Sequence, residues 1–110
     1  MKHFGTKAYK AAKTKAAGRG GKTEAPLRGG GRLDAKTKGG GRATEVERSG
    51  DTGKLSAAAR RLKRSGAPQK VLQVPQRDMA KARKAMRQAG IGGTVKSMSG
   101  TKRSRVRKPK

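Results

Sequence analysis

Arg32-Leu33-Asp34-Ala35-Lys36-Thr37-Lys38-Gly39-Gly40-Gly41-Arg42-Ala43-Thr44-Glu45-Val46-Glu47-Arg48 reads as a β-hairpin. Two short segments, Arg32–Thr37 and Arg42–Arg48, flank Lys38-Gly39-Gly40-Gly41, whose glycines supply the positive φ that a tight return needs. With those four residues as the loop, Thr37 falls opposite Arg42, Leu33 opposite Val46 and Asp34 opposite Glu45. Side chains alternate along a strand, so Leu33, Ala35, Thr44 and Val46 share one face. Asp34, Glu45 and Glu47 share the other.

Beyond the hairpin the pattern changes period. Asp51 or Thr52 can cap a helix whose Leu55, Ala58, Ala59 and Leu62 follow i, i+3, i+4, i+7 spacing, and Gly66 and Pro68 stop it. Val71-Leu72-Gln73-Val74, bounded by Pro68 and Pro75, reads as a strand. A second helix runs from about Gln76 to Ala89, with Met79, Ala82, Met86 and Ala89 as a core stripe, Asp78 near its start and Gly90 at its end. Thr94–Met98 is a last strand. The order hairpin, helix, strand, helix, strand predicts a small α/β core with a mixed sheet over residues 32–99, because the 71–98 stretch is long enough for a parallel crossover.

Either side of this core the chain reads as flexible and basic. Residues 1–31 form a Gly-rich extension with a short helix over 1–17, placing Phe4, Ala8, Ala11 and Ala12 on a weak face. Residues 18–32 read as a linker holding Glu24, and residues 100–110 as a disordered basic tail. Gly18-Arg19-Gly20-Gly21-Lys22-Thr23 lacks the spaced first glycine of a phosphate loop.

Thirty-one Lys and Arg against six Asp and Glu give a net charge of +25 over 110 residues, which implies a polyanionic partner, nucleic acid being the commonest. DNA is the expected form. The basic faces of the two helices, Arg60, Arg61, Lys63 and Arg64 on the first and Lys81, Arg83, Lys84 and Arg87 on the second, are the expected phosphate contacts. Phe4 and Tyr9 are the whole aromatic complement, so a base-stacking platform is not expected. The absence of cysteine excludes disulfides, zinc–thiolate sites and thiol nucleophiles, and the single histidine, His3, reads as a solvated terminal residue. No apolar run approaches the ~18 residues of a membrane span, and no signal-peptide core is visible, so a cytoplasmic location or a place within a nucleoprotein assembly is expected. Exposed sheet edges in so small a core suit a homodimer.

Three of the six acids fall in the hairpin, and two of them face each other. Like charges directly opposite destabilise a sheet. Arg32, opposite Glu47, relieves one acid, and a bound Mg²⁺ is a remedy for the Asp34–Glu45 pair, since it takes carboxylate, water and phosphate oxygens. Such an ion could polarise a phosphodiester and activate water.

The element order and these acids resemble the PD-(D/E)XK nuclease superfamily, over roughly residues 24–98. Its motif is an Asp on one hairpin strand, then an acid, any residue and a Lys on the next. Asp34 and Glu45-Val46-Glu47 stand at those positions, with Glu47 in place of Lys and Leu33 in place of a preceding Pro. An acid on a helix before the hairpin is frequent in the family, and Glu24 is the candidate here. The resemblance implies a Mg²⁺-dependent endonuclease in which Asp34 and Glu45 bind the metal and Glu47 is a third catalytic acid. The competing expectation is a non-catalytic basic protein of a virion, nucleoid or ribosome, in which the same acids make surface ion pairs.

Overall fold

The computed structural model describes residues 6–109; Phe4 and His3 lie outside them. The elements are α1 (Thr6–Ala17), β1 (Lys22–Pro26), β2 (Arg32–Lys36), β3 (Arg42–Val46), α2 (Thr52–Ser65), β4 (Gln69–Val74), α3 (Met79–Ala89), β5 (Gly93–Ser97) and β6 (Arg103–Val106). The six strands form one mixed sheet in the order β1-β2-β3-β4-β5-β6. The pairs β3–β4 and β4–β5 are parallel and the others antiparallel.

Local sequence explains most of these elements. Lys38–Gly40 makes a single 3₁₀ turn in which Gly39 has φ 82°, so a side chain there would be strained, and the Thr37 N–H donates to the Arg42 carbonyl at 3.0 Å. The Asp51 carboxylate caps α2 by accepting from the Lys54 N–H at 2.9 Å. Gly66 and Gly90 end α2 and α3 in the left-handed conformation. Leu55, Ala58, Ala59 and Leu62 are buried on α2 as expected; on α3 Met79, Ala82 and Met86 are buried as expected and Ala85 with them, whereas Ala89 is only half-buried. They pack on the sheet through Leu72, Val74 and Val95. Leu72 and Val71 alternate, so Val71 faces the opposite side, where Ala16 of α1 also lies.

The α/β architecture with a mixed sheet is as the sequence predicts, but the ordered core is larger than residues 32–99. The stretch expected as a linker holds β1, whose Thr23 pairs with Ala35 and Ala25 with Leu33. Ala25 is buried, and pairing with β1 satisfies the outer edge of β2. The stretch expected as a disordered tail holds β6, antiparallel to β5, because Val106 is buried in the main core. On α1 the docked face is Tyr9, Ala12, Lys13, Ala16 and Ala17, while Ala8 and Ala11 are exposed. Among the described residues the face predicted from Phe4, Ala8, Ala11 and Ala12 is thus rotated, because Tyr9 and Lys13 have polar partners on the sheet. Both sheet edges carry features that discourage further pairing: Pro26 and the positive φ of Glu24 on β1, and Arg103 and Arg105 on β6. No helix among the described residues is long and apolar enough to cross a membrane.

Candidate functional site

The hairpin register is the predicted one where the ladder is intact, pairing Lys36 with Ala43 and Ala35 with Thr44. The next pair would be Asp34 with Glu45, and there the backbone ladder stops. Side chains take its place. The Asp34 N–H donates to Glu45 Oε2 at 2.8 Å, and the Val46 N–H donates to Asp34 Oδ2 at 2.7 Å. Each strand therefore offers an amide to the other strand's carboxylate, and the hairpin is held by the two acids at its open end. The faces predicted by strict alternation do not survive this break. Leu33 joins Ala43 in the α2/α3 core, whereas Ala35, Thr44 and Val46 stand outside that cluster.

Two further side chains bind the pair, and a Lys13–Glu24 ion pair stands beside one of them. The Tyr9 hydroxyl, from α1, donates to Asp34 Oδ1 at 2.6 Å. Arg61 Nε, from α2, donates to Glu45 Oε1 at 2.8 Å in an ion pair where Glu45 is 1% exposed and Arg61 31%. Lys13 Nζ pairs with Glu24 and lies 4.3 Å from the centre of the Tyr9 ring, a cation–π contact. The β1–β2 register brackets Glu24 opposite Asp34, and Glu24 is the single non-glycine residue with positive φ, 53°, among the described residues. Such a conformation costs an L-residue about 1–2 kcal/mol and tends to occur where a side chain must be aimed.

The electrostatics follow from this crowding. Burial pushes the Glu45 carboxyl up to about 7; the neighbouring Asp34 charge adds to the rise, and the Asp34 N–H and Arg61 oppose it. Burial also raises the Tyr9 hydroxyl, reinforced by its hydrogen bond to Asp34 and by the charges of Asp34, Glu24 and Glu45. Tyr9 accordingly stays a neutral donor at ordinary pH.

Asp34 and Glu45 are brought together as the sequence predicts. Glu47 is not part of the cluster. It follows the end of β3 and its carboxylate accepts from the Ser49 N–H at 2.9 Å, bracing the loop before α2. Arg32 does not serve as its counter-charge; it is exposed and pairs across to Pro26. Arg61 turns inward to Glu45, which removes it from the set of helix cations expected to meet phosphate. Arg83 donates to the Ser104 hydroxyl at 3.3 Å and is only partly exposed. Arg60, Lys63, Arg64, Lys81, Lys84 and Arg87 remain on exposed helix surface, with Arg64 also donating to the Gly30 carbonyl at 2.9 Å. Asp78 is buried at the start of α3 but makes no capping hydrogen bond.

Tyr9 and Lys13 are neighbours of the site that the acid pattern of the sequence does not single out. Their i, i+4 spacing on one helix face, continued by Ala16 and Ala17, was the available signal. The donor set suits a hard cation through oxygen, and Mg²⁺ commonly takes one or two carboxylates with water and phosphate completing its shell. Among the described residues no group of three or more acidic or histidine side chains is arranged around a common metal position. A metal here would rest on Asp34 and Glu45 and draw its other ligands from solvent and substrate. Comparison with protein-family models, curated proteins and solved structures finds no match for this chain.

Proposed function

We propose that the protein is a Mg²⁺-dependent nuclease acting on DNA, with Asp34 and Glu45 as the metal-holding pair. The observation that carries this reading is the interruption of the β2–β3 ladder at those two residues, where a buried Glu45 and a half-buried Asp34 are held together inside a chain of charge +25. When bound, Mg²⁺ would polarise the phosphodiester and lower the pKa of a water at the same place. The chain's own groups do the positioning. Val46 and Asp34 amides fix one oxygen of each acid, Tyr9 orients the second Asp34 oxygen, and Arg61 holds Glu45 against its tendency to take up a proton. Position 47 has an acid where the resembled nuclease pattern has Lys, and Lys13 of α1 pairs with Glu24 beside the site, not with Asp34 or Glu45.

Plasmid DNA and RNA incubated with Mg²⁺, and separately with chelator, test this directly. Cleavage that needs the metal and disappears in Asp34→Ala, with binding intact or stronger, is the expected result. Retained cleavage in a clean Asp34→Ala preparation would overturn it.

A second reading is favoured by one specific feature. All four carboxylate oxygens of Asp34 and Glu45 already accept hydrogen bonds, as they would if their role were to stitch the hairpin of a non-catalytic nucleic-acid-binding protein. A mobility shift without cleavage under either condition would select it.

A further inference from the structure

The sheet also sets cations opposite each other, at Lys22 and Lys36 near its β1 edge and at Lys96 and Arg103 on β5 and β6, and the second of these pairs stands over open space. On the α1 side, the uncovered part of β3 to β6 forms an open groove of about 1020 Å³, and eight of its 17 lining residues are Lys or Arg with no acid among them. The register sets Lys96 directly across from Arg103, and Thr94 across from Arg105. Two cations facing each other on adjacent strands destabilise a sheet as two acids do. Here nothing on the chain compensates: among the described residues the two ion pairs are Lys13–Glu24 and Arg61–Glu45, both elsewhere. Burial, with Arg103, Arg42 and Lys15 nearby, lowers the Lys96 pKa, as expected for a cation lacking an anionic neighbour.

The spacing suits one kind of anion. Arg103 and Arg105 are two residues apart on β6, so they project from one face about 7 Å apart, a distance that successive phosphates of an extended strand match. Arg42 and Lys15 extend the row across the sheet towards α1. No aromatic side chain lines the groove, so contact is to backbone rather than to stacked bases.

We infer that this groove, centred on Lys96, Arg103 and Arg105, binds the sugar-phosphate backbone of one nucleic-acid strand and is a binding surface distinct from the exposed helix cations. It would do so whether or not the carboxylates cleave what is bound.

The test compares two triple variants that remove the same charge: Lys96→Gln/Arg103→Gln/Arg105→Gln in the groove, and Lys63→Gln/Lys84→Gln/Arg87→Gln on the exposed helices. Affinity for short fluorescent single-stranded DNA, duplex DNA and single-stranded RNA is measured in chelator, across salt from about 50 to 200 mM. The groove variant should bind at least about tenfold more weakly, and its log K against log salt slope should fall by about 2–3. The helix variant should lose less than about threefold. The three substrates distinguish which strand form the groove prefers. Equal losses in the two variants would reduce the effect to net charge and overturn the assignment. Unchanged binding by a folded groove variant would do the same and leave the groove to some other polyanion. Arg105→Gln alone, on an exposed side chain opposite Thr94, guards against misfolding and should lower the slope by about 1; an unchanged slope contradicts the assignment.

Discussion

Like charges face each other at several places in this sheet, Lys22 opposite Lys36 among them, and two of those places are treated in opposite ways. At the open end of the β2–β3 hairpin, Glu45 is buried and Asp34 half-buried, and each of their oxygens accepts a hydrogen bond from the protein. Across β5 and β6, Lys96 and Arg103 stand over an open groove with no acid lining it. The acids are preorganised by internal partners, as a site that must hold its geometry requires. The bases have no acid facing them, as the proposed polyanion-binding surface would require. Stability should therefore respond strongly to changes at the first place and weakly at the second, while salt-sensitive binding should respond in the reverse order.

The largest loss is expected from Arg61→Ala, which leaves Glu45 buried with Asp34 as its charged neighbour. Removing one partner of a buried pair costs about 3–5 kcal/mol, and urea denaturation at pH 8 should find a loss of that order. The loss should shrink towards pH 5, where Glu45 can escape by binding a proton. An equal loss at both pH values would mean that Arg61 acts through packing alone.

The pH dependence of the unaltered protein comes next. Glu45 binds its proton more tightly in the fold, at about 7, than its ordinary value of 4.5. The stability it contributes is fully present below about 4.5 and is lost as pH rises through about 7, a change on the order of 3 kcal/mol in chelator. Glu45→Gln should flatten that slope and be more stable than the parent above pH 7. Added Mg²⁺ should restore stability to the parent at pH 8 and not to Glu45→Gln, if the pair binds the ion.

Tyr9→Phe removes one donor from Asp34 and should cost about 1–2 kcal/mol in denaturant midpoint experiments. Lys96→Gln gives the smallest effect and the opposite sign. Relief of the pair with Arg103 should stabilise the fold by about 0.2–1 kcal/mol at low salt, and the gain should vanish at about 1 M salt. A loss of stability in Lys96→Gln would mean that the groove cations are not in mutual repulsion.

Much of the architecture was legible because it is written in local period and punctuation. The three glycines of the turn, the α2 stripe from Leu55 to Leu62 and the Pro-bounded run at Val71–Val74 each specify an element without help from distant residues. The edge strands were not, since β1 offers one buried apolar side chain, Ala25, and β6 one, Val106, and both are strands by virtue of the neighbour they pair with. The carboxylate pair followed from register, but its surroundings did not. Arg61 lies 16 residues from Glu45 and Tyr9 25 from Asp34, and nothing local distinguishes Arg61 from the other cations on its helix. Glu47 reads as equivalent to Glu45 by alternation, and only the end of β3 at Val46 separates their roles.

The most direct measurement is metal-dependent cleavage of a labelled duplex by the parent and by Asp34→Ala, with folding of both verified by circular dichroism. Products are expected with the parent in Mg²⁺, none in chelator and none with Asp34→Ala. Products that persist in chelator or with Asp34→Ala, or a parent that binds the duplex and leaves it intact, would contradict the nuclease proposal.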